Sequence, residues 1–285
     1  METRCDGRTQ CRDGSDEKDC RILEYSVGYD KLLPPVDDVA GKVEVGMSLD
    51  ISNILAIHEV EESITIQFIA WMTFLDHRLT FRDLEPSFNR LSEEEENSVW
   101  IPFVYFKNIA KNSDYITFPF RTMHTVVRNP TKPPVKSDIT YSNNVNLYNG
   151  SQHYMMEKEE ITNIWICKYD MAMYPFDTQL CTMEFYTMEY SYIDLVPGNL
   201  SYEGPADLSQ YFVYNYTMCS DKRGGQSGVK VIIILGRPLV GNILTVFIPT
   251  LIMILLGHLS KVYEENYIDM VVQVNLTCLL VLATL

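Results

Sequence analysis

Hydrophobic and polar positions alternate in two stretches of the chain, from Val43 to Ile51 and from Ile64 to Phe68. A period of two is typical of β-strands that bury one face. A more continuous apolar stretch from Val229 to Leu235 predicts a third strand, and turn-forming pairs such as Pro197-Gly198 separate the strands. Short strands divided by turns indicate a sandwich or barrel. We predict a mainly β, immunoglobulin-like sandwich over residues 41–238.

The pattern changes near residue 240, where two long apolar stretches follow. The first runs from Asn242 to Leu259 and contains Pro249, which a spanning helix tolerates when neighbouring groups satisfy the freed carbonyl. The second runs from Met270 to Leu285. We predict a transmembrane region over residues 239–285, with a first helix at about 242–262 and a second helix from about 270.

Four positions in the second apolar stretch lie on one face of a helix, because they are spaced at i, i+4, i+7 and i+11. They are Gln273, Thr277, Leu280 and Thr284. Mostly polar side chains on one face suit the lining of a water-filled pore, with the leucine as a hydrophobic constriction. The alternative is a buried polar seam between helices. A pore requires several copies of the chain, since one helix cannot enclose water.

Composition excludes some classes of function. The 285 residues include 23 Lys and Arg against 38 Asp and Glu, so the formal net charge is −15. Nucleic-acid binding needs clustered positive charge, so we expect no nucleic-acid partner. The five histidines show no metal-ligand spacing, and the chain has no phosphate-binding loop or nucleophile elbow. We therefore expect that the protein is not an enzyme and requires no cofactor.

Other features indicate a secreted or membrane glycoprotein. Three sequons make Asn149, Asn199 and Asn215 glycosylation acceptors. Residues 1–20 contain no apolar signal-peptide core, and the last apolar stretch has 16 residues, where a spanning helix needs about 20. We expect that sequence is missing at both ends. The alternative is a genuine product whose internal insertion signal is not cleaved.

Residues 5–20 read CDGRTQCRDGSDEKDC, a segment too short and polar to bury a core without disulfides or a metal. Carboxylates in a tight loop suit Ca²⁺, whereas the alternative is an acidic, solvated tail. The segment resembles the second half of an LDL-receptor class A module. That resemblance implies a Cys5–Cys20 disulfide and calcium ligation by Asp6, Asp16 and Glu17, although Gln10 stands where the family usually has Asp. We assign residues 1–20 to this partial module and 21–40 to a linker.

Cys167 and Cys181 enclose thirteen residues, and a disulfide between them would remove about 3 kcal/mol of unfolded-chain entropy. The enclosed Tyr174-Pro175-Phe176 offers an apolar tip, followed by the charge of Asp177. The spacing and this tetrapeptide resemble the signature loop of the Cys-loop, or pentameric, ligand-gated ion channels. Three further motifs are similar to that family: Asp76-His77-Arg78-Leu79, Trp100-Ile101-Pro102 with Phe106-Lys107-Asn108, and Arg237 ahead of the first membrane helix.

The resemblance implies a homo- or hetero-pentamer in the plasma membrane, including synaptic membranes, with the sandwich outside the cell. A small-molecule ligand would bind in the sandwich at a subunit interface. The Cys167–Cys181 loop would transmit the change to the membrane helices, with Tyr174, Pro175 and Phe176 contacting the membrane domain. Asp177 and Arg237 would belong to the polar cluster at that junction, where the alternative is a static structural ion pair.

Following the family along the chain gives candidate ligand-binding residues, namely Trp71, Met188, Tyr190, Tyr214 and Tyr216. Met188 stands at the family's main aromatic position, and the late hairpin has the single Cys219 where an adjacent pair is usual. Cation–π recognition of an amine needs aromatic rings, so an ordinary acetylcholine site is not expected. For the strand tyrosines the alternative is simple packing.

The sequence also bears on two further questions, the sign of the ions conducted and whether the receptor conducts ions at all. Carboxylates at positions 264, 265 and 269, multiplied by subunit copies, favour cations, and the Pro-Ala-Arg stretch of anion-selective members is absent. The rival hypothesis is a membrane-tethered adhesion or uptake receptor that binds a ligand without conducting ions. The cysteine-rich segment favours that rival, whereas the polar stripe in the second helix opposes it.

Overall fold

The computed structural model describes residues 9–14, 21–36, 41–86, 88–110, 116–117, 123–135, 146–187, 192–259 and 268–284. The chain divides into two compact units. The first comprises residues 1–167, 181–205 and 216–232, and the second comprises residues 168–180, 206–215 and 233–285.

Fourteen strands precede the helical end of the described chain. They are β1 Leu23–Tyr25, β2 Val43–His58, β3 Ser63–Phe74, β4 Leu79–Arg82, β5 Phe88–Arg90, β6 Val104–Phe106, β7 Ile116–Thr117, β8 Met123–Val127, β9 Leu147–Asn149, β10 Tyr154–Ile166, β11 Thr178–Thr187, β12 Ile193–Tyr202, β13 Phe212–Arg223 and β14 Gln226–Gly236. The helices are α1 Glu93–Glu96, α2 Leu239–Asn242, a π-helix Ile243–Phe247, α3 Ile248–Leu259 and α4 Ile268–Thr284.

The largest sheet has the strand order β12-β2-β3-β10-β8-β5, with β7 pairing β10. β2 and β3 pair antiparallel, as do β3 and β10, while β12 runs parallel to β2. The alternation predicted from the sequence is confirmed, because Ile64, Ile66 and Phe68 are buried while the residues between them are partly exposed. A period of two along β3 therefore turns one face of this sheet to the core.

A second sheet, of order β13-β14-β11-β6, packs on the first through aromatic side chains. Phe68 of β3 meets Phe185 of β11 edge to face, with ring centroids 5.9 Å apart. Trp165 of β10 meets Phe106 of β6 at 5.4 Å, also edge to face. Edge-to-face rings between two sheets are typical of a sandwich core, so the predicted mainly β sandwich is confirmed.

A small third sheet, of order β1-β4-β9, includes residues that the sequence assigned to a linker. The segment 21–40, which we assigned to a linker, thus contains the strand β1. Its backbone is held by the buried carboxylate of Glu95 in α1, which accepts from the N–H groups of Ile22 and Leu23 at 2.7 and 2.9 Å. A three-residue strand has too little pattern to be recognised, and its anchor lies 72 residues away in sequence.

The helical end begins earlier than predicted. Helical structure starts at Leu239 rather than 242, and α4 starts at Ile268 rather than about 270, while residues 260–262 lie outside the described residues. The π-helical stretch lies just before Pro249, whose missing N–H and bulky ring prevent a regular α-helical turn there. Over the described part of the chain, no single helix is both long enough and apolar enough to cross a membrane.

Candidate functional site

A disulfide closes the loop between β10 and β11. Cys167 and Cys181 are bonded, with their Cα atoms 4.9 Å apart, a separation normal for a disulfide. The predicted Cys167–Cys181 bridge is therefore confirmed. Within the loop, Asp170 and Gln179 exchange two hydrogen bonds: the Asp170 N–H donates to Gln179 Oε1 at 2.8 Å, and Gln179 Nε2 donates to the Asp170 carbonyl at 2.9 Å.

The second compact unit contains a buried ion pair between this loop and the end of β14. Arg237 Nε donates to Asp177 Oδ1 at 2.9 Å, and Arg237 Nη2 donates to Oδ2 at 3.1 Å. The two side chains are only 6% and 1% exposed. Gln179 Nε2 also donates to Asp177 Oδ2, at 2.5 Å. The structure thus brings together the two residues that the sequence assigned to a gating cluster.

Aromatic rings surround the Arg237 guanidinium. Its central carbon lies 4.4 Å from the ring centroid of Tyr211 and 4.8 Å from that of Tyr174, distances typical of cation–π contacts. Arg237 Nη2 also donates a short hydrogen bond to the Tyr211 hydroxyl. The sequence did not single out Tyr211, since no motif or spacing relates it to an arginine 26 residues later.

Electrostatics stabilise the charged form of this pair. Burial by itself would raise the pKa of Asp177, but hydrogen bonds from Arg237 and Gln179 outweigh that effect and hold the pKa below its usual value of 3.8. A carboxylate that stays ionised beside a buried guanidinium leaves neither charge uncompensated.

The predicted apolar tip of the loop is only partly exposed. Phe176 is 65% exposed, Tyr174 is 39% exposed, and Pro175 between them is buried. The Tyr174 ring stacks on Phe247 of the π-helix, with centroids 6.3 Å apart and planes inclined by 21°. Within the second compact unit, the loop therefore touches the start of the first apolar helical stretch.

Helix α4 carries the predicted polar stripe. Gln273, Thr277 and Leu280 are exposed, while Cys278 is buried. The Thr277 hydroxyl donates back to the helix, with the carbonyls of Gln273 and Val274 at 2.7 and 2.9 Å. Thr284 is the last residue of α4. Because α4 also exposes Leu276 and Leu279, exposure alone does not separate a pore-facing side from a lipid-facing side.

The predicted ligand-binding residues fall into two groups. Met188 and Tyr190 lie outside the described residues. Trp71 lies on the partly exposed face of β3, where its Nε1 donates to Asp50 Oδ2 at 2.7 Å and the ammonium of Lys158 lies 4.6 Å from its ring centroid. A lysine of the same chain therefore occupies the cation–π position over this ring.

Both candidate tyrosines of β13 are exposed. Tyr214 is 70% exposed and lies 6.5 Å from the Phe212 ring. Tyr216 is 36% exposed and lies 6.0 Å from the ring of Tyr202. Exposed rings in a strand are available to a partner or a ligand, but these contacts also match ordinary packing.

The second sheet holds a polar cluster that the sequence did not indicate. The Tyr186 hydroxyl donates to Asp221 Oδ2 at 2.6 Å, and the Lys107 ammonium lies 4.8 Å from the Tyr186 ring centroid. Burial, followed by the bond to Asp221, raises the pKa of Tyr186 above its ordinary value. A single sequence gives no signal for this cluster because its members come from β11, from β13 and from the residue that follows β6.

The first compact unit also contains a cleft of about 600 Å³. Its lining includes Lys42, Glu44, His77 and Tyr154. Of the predicted ligand-binding residues that the structure describes, Trp71, Tyr214 and Tyr216 do not line it.

Of the predicted metal and modification sites, the structure describes only the glycosylation acceptors. Cys5, Asp6, Asp16, Glu17 and Cys20 fall outside the described residues. Within the described ranges, no group of three His, Cys, Asp or Glu residues is arranged to hold a metal ion. The sequon residues Asn149, Asn199 and Asn215 are all exposed on strands, as glycosylation requires.

Most of this chain matches one protein family, and several known proteins are similar to it. The family described as "Neurotransmitter-gated ion-channel ligand binding domain" matches residues 20–221. A glutamate-gated chloride channel of Drosophila melanogaster is 22% identical over 94% of this chain and 57% of its own length. The neuronal acetylcholine receptor subunit beta-2 of Gallus gallus is 26% identical over 66% of this chain and 34% of its own length.

A third relative has higher identity over a shorter region. The gamma-aminobutyric acid receptor subunit beta-4 of Gallus gallus is 31% identical over 59% of this chain and 30% of its own length. The chain spans between 30% and 57% of the length of these three relatives.

Proposed function

Because this chain belongs to the neurotransmitter-gated ion-channel ligand-binding domain family, we propose that it is a subunit of a pentameric ligand-gated ion channel. The assembly is a homo- or hetero-pentamer in the plasma membrane, with the β-sandwich outside the cell. A small molecule binds to the sandwich, and ions pass through a pore lined by α4. One observation carries this proposal beyond family membership: the disulfide-closed loop contacts both Arg237 and the first apolar helical stretch.

The buried pair of Asp177 and Arg237 is the element that we assign to gating. Its two hydrogen bonds fix the loop to the residue just before α2 and the π-helix. Tyr174 contacts both Arg237 and Phe247, so a displacement of the loop also displaces the helix. Ion pairs and stacked rings that can be remade in a second arrangement are suited to a two-state switch.

We place the membrane at the helical end of the chain. The consecutive helical segments over 239–259 extend for about 30 Å, close to the thickness of a bilayer core. Large apolar side chains are exposed there, including Leu251 at 60% and Leu255 at 53%, and such surfaces are stable against lipid. Gln273, Thr277, Leu280 and Thr284 then line the water-filled side of α4.

The proposal also concerns the chemical class of the ligand and the sign of the ions that the pore conducts. Lys158 occupies the cation–π position over Trp71, which argues against an organic cation as the ligand on that face. Asp269 at the start of α4, repeated around a ring of subunits, favours cations. The relatives favour neither sign, since their names include a chloride channel and an acetylcholine receptor subunit. Calcium in the N-terminal segment is proposed on Asp6, Asp16 and Glu17 alone.

Voltage-clamp recording tests the pore. Cells expressing the full-length protein, alone and with related subunits, are exposed to a panel of transmitters and to changes of pH. Leu280→Thr should raise the resting current or the ligand sensitivity, since it places a hydroxyl in a hydrophobic constriction. The matched control is Leu279→Thr, because both leucines are 65% exposed but point about 100° apart around the helix.

The recordings separate the channel from its rival. A current that appears with Leu280→Thr and not with Leu279→Thr supports the pore, and its reversal potential under ion substitution determines the selectivity. If surface-labelled protein stays silent in all forms, the pore proposal fails and a membrane-tethered receptor that binds without conducting replaces it.

A further inference from the structure

His124 of β8 lies between two carboxylates inside the first compact unit. Its Nδ1 is 3.5 Å from Glu96 Oε1 of α1, and its Nε2 is 3.5 Å from Glu157 Oε1 of β10. His124 and Glu157 are each only 8% exposed, and they are direct cross-strand partners. Three elements that are not consecutive in the chain thus meet at one imidazole.

Several polar atoms of this cluster are buried without a hydrogen-bond partner among the described residues. They are both ring nitrogens of His124 and Oε2 of Glu157. A buried polar atom without a partner is unfavourable by about 1–3 kcal/mol, so native proteins rarely leave three together. We therefore expect the cluster to bind a group that forms hydrogen bonds with these atoms.

A proton meets that requirement at the two ring nitrogens of His124. A neutral imidazole has one N–H donor and one acceptor nitrogen, so it can donate to only one of the two carboxylates while its other lone pair faces the second. The imidazolium form has two N–H donors and can donate to both Glu96 and Glu157. The two carboxylate oxygens, each 3.5 Å from a ring nitrogen, thus favour the charged form of His124.

The surrounding charges act in the same direction. Burial lowers the pKa of His124, but Glu157 and Glu96 outweigh it, and the net pKa is raised above the ordinary 6.5. Burial and the charge of Glu157 also raise the pKa of Glu159 on β10. Of the neighbouring cations, Lys158 lies over Trp71 and Arg90 of β5 is exposed. Among the residues that the structure describes, carboxylates therefore dominate the field at the imidazole.

We propose that His124, Glu96 and Glu157 form an internal proton-binding site that links α1 to β10. A bound proton joins the two elements through the imidazolium, and its loss removes one of the two links. Each carboxylate is next in sequence to a residue with a second structural contact. Glu95, beside Glu96, anchors the backbone at β1. Lys158, beside Glu157, lies over the ring of Trp71. Extracellular acidity thereby changes the stability of the ligand-binding unit, whether or not the chain conducts ions.

Hydrogen–deuterium exchange at the imidazole C2 position, followed by mass spectrometry of the intact wild-type chain, measures each histidine separately. The His124 profile should have its midpoint above the ordinary histidine pKa of 6.5. Glu96→Gln and Glu157→Gln should each move the His124 midpoint to lower pH. Glu94→Gln, an exposed α1 neighbour, should leave it in place.

Thermal unfolding as a function of pH supplies a second test. A histidine whose pKa is raised on folding stabilises the fold below its unfolded pKa near 6.5, and this stabilisation is lost as the pH rises through the higher folded value. His124→Gln should therefore be less stable than wild type at pH 6, by a margin that shrinks toward pH 9. His77→Gln should follow the wild-type profile.

Two results overturn the proposal. One is a wild-type His124 midpoint at or below the ordinary pKa of 6.5. The other is a His124 profile that neither glutamine variant moves. If His124→Gln does not fold, the wild-type exchange profile still decides, because it requires no substitution.

Discussion

Arg237 and Asp177 form a two-point ion pair, with Nε to Oδ1 at 2.9 Å and Nη2 to Oδ2 at 3.1 Å, although 60 residues separate them in sequence. Both side chains are buried, so water does not screen the interaction. The pair connects the disulfide-closed loop to the end of the last strand, where the helical part of the chain begins. It is the contact on which the proposed transmission of a binding signal depends.

Replacing Asp177 by Asn should destabilise the protein by about 3–5 kcal/mol, because it leaves the buried Arg237 charge without its partner. Chemical denaturation of the purified chain in detergent measures this loss. Asp170→Asn is the matched control, since Asp170 belongs to the same loop but is exposed. An equal loss in the two variants would show that the ion pair contributes nothing particular.

At low pH, wild type and Asp177→Asn should have the same free energy of unfolding. The folded pKa of Asp177 lies below its ordinary 3.8, so its stabilisation is present above that value and is lost as the pH falls through the lower folded pKa. A protonated Asp177 then resembles the Asn variant. The two stability profiles should converge at low pH, and parallel profiles would contradict this assignment.

Replacing Tyr211 by Phe tests the contribution of the Tyr211 hydroxyl separately from that of its aromatic ring, since both contact Arg237. The variant keeps the aromatic face that lies 4.4 Å from the guanidinium and removes only the hydrogen bond, at a loss of about 1 kcal/mol. Tyr211→Leu should lose a further 0.5–2 kcal/mol, roughly, from the cation–π contact. Denaturation midpoints measure both. Tyr214→Phe serves as the control because Tyr214 is 70% exposed. A similar loss of stability in that variant would contradict a specific role for the Tyr211 hydroxyl.

Removing the disulfide should lower the free energy of unfolding by about 3 kcal/mol, as expected for a loop with a sequence separation of 14. The double variant Cys167→Ser, Cys181→Ser tests this by denaturation under non-reducing conditions. Cys219→Ser is the control, since Cys219 is an exposed cysteine outside the disulfide. Added reductant should destabilise wild type and leave the double variant unchanged.

Glu95→Gln should loosen the N-terminal strand. The carboxylate accepts from Ile22 and Leu23 through Oε1 and from Ser92 through Oε2, and an amide cannot accept on both sides. We expect a loss of about 1–3 kcal/mol. Amide hydrogen exchange should rise at residues 22–25 in this variant and not in Glu94→Gln, whose side chain is exposed. Unchanged protection of β1 would show that its pairing with β4 suffices.

The amino-acid sequence determined those features that depend on neighbours along the chain. Alternation in the regions of β2 and β3 identified two strands of the sandwich, because every second residue faces the core. The spacing of Cys167 and Cys181, with the tetrapeptide between them, resembles the signature loop of a known family, and that resemblance predicted the disulfide. The same resemblance identified Asp177 and Arg237 as candidates.

The tertiary structure decided which distant residues meet. Tyr211 reaches Arg237, Glu95 reaches β1, and His124 lies between Glu96 and Glu157 only because sheet order and the position of α1 place them together. The π-helical stretch Ile243–Phe247 before Pro249 is likewise a feature of the structure that the sequence analysis did not predict. Periodicity reports which face of an element is buried, but it carries no information on which buried polar groups pair, since that depends on the packing of elements far apart in sequence.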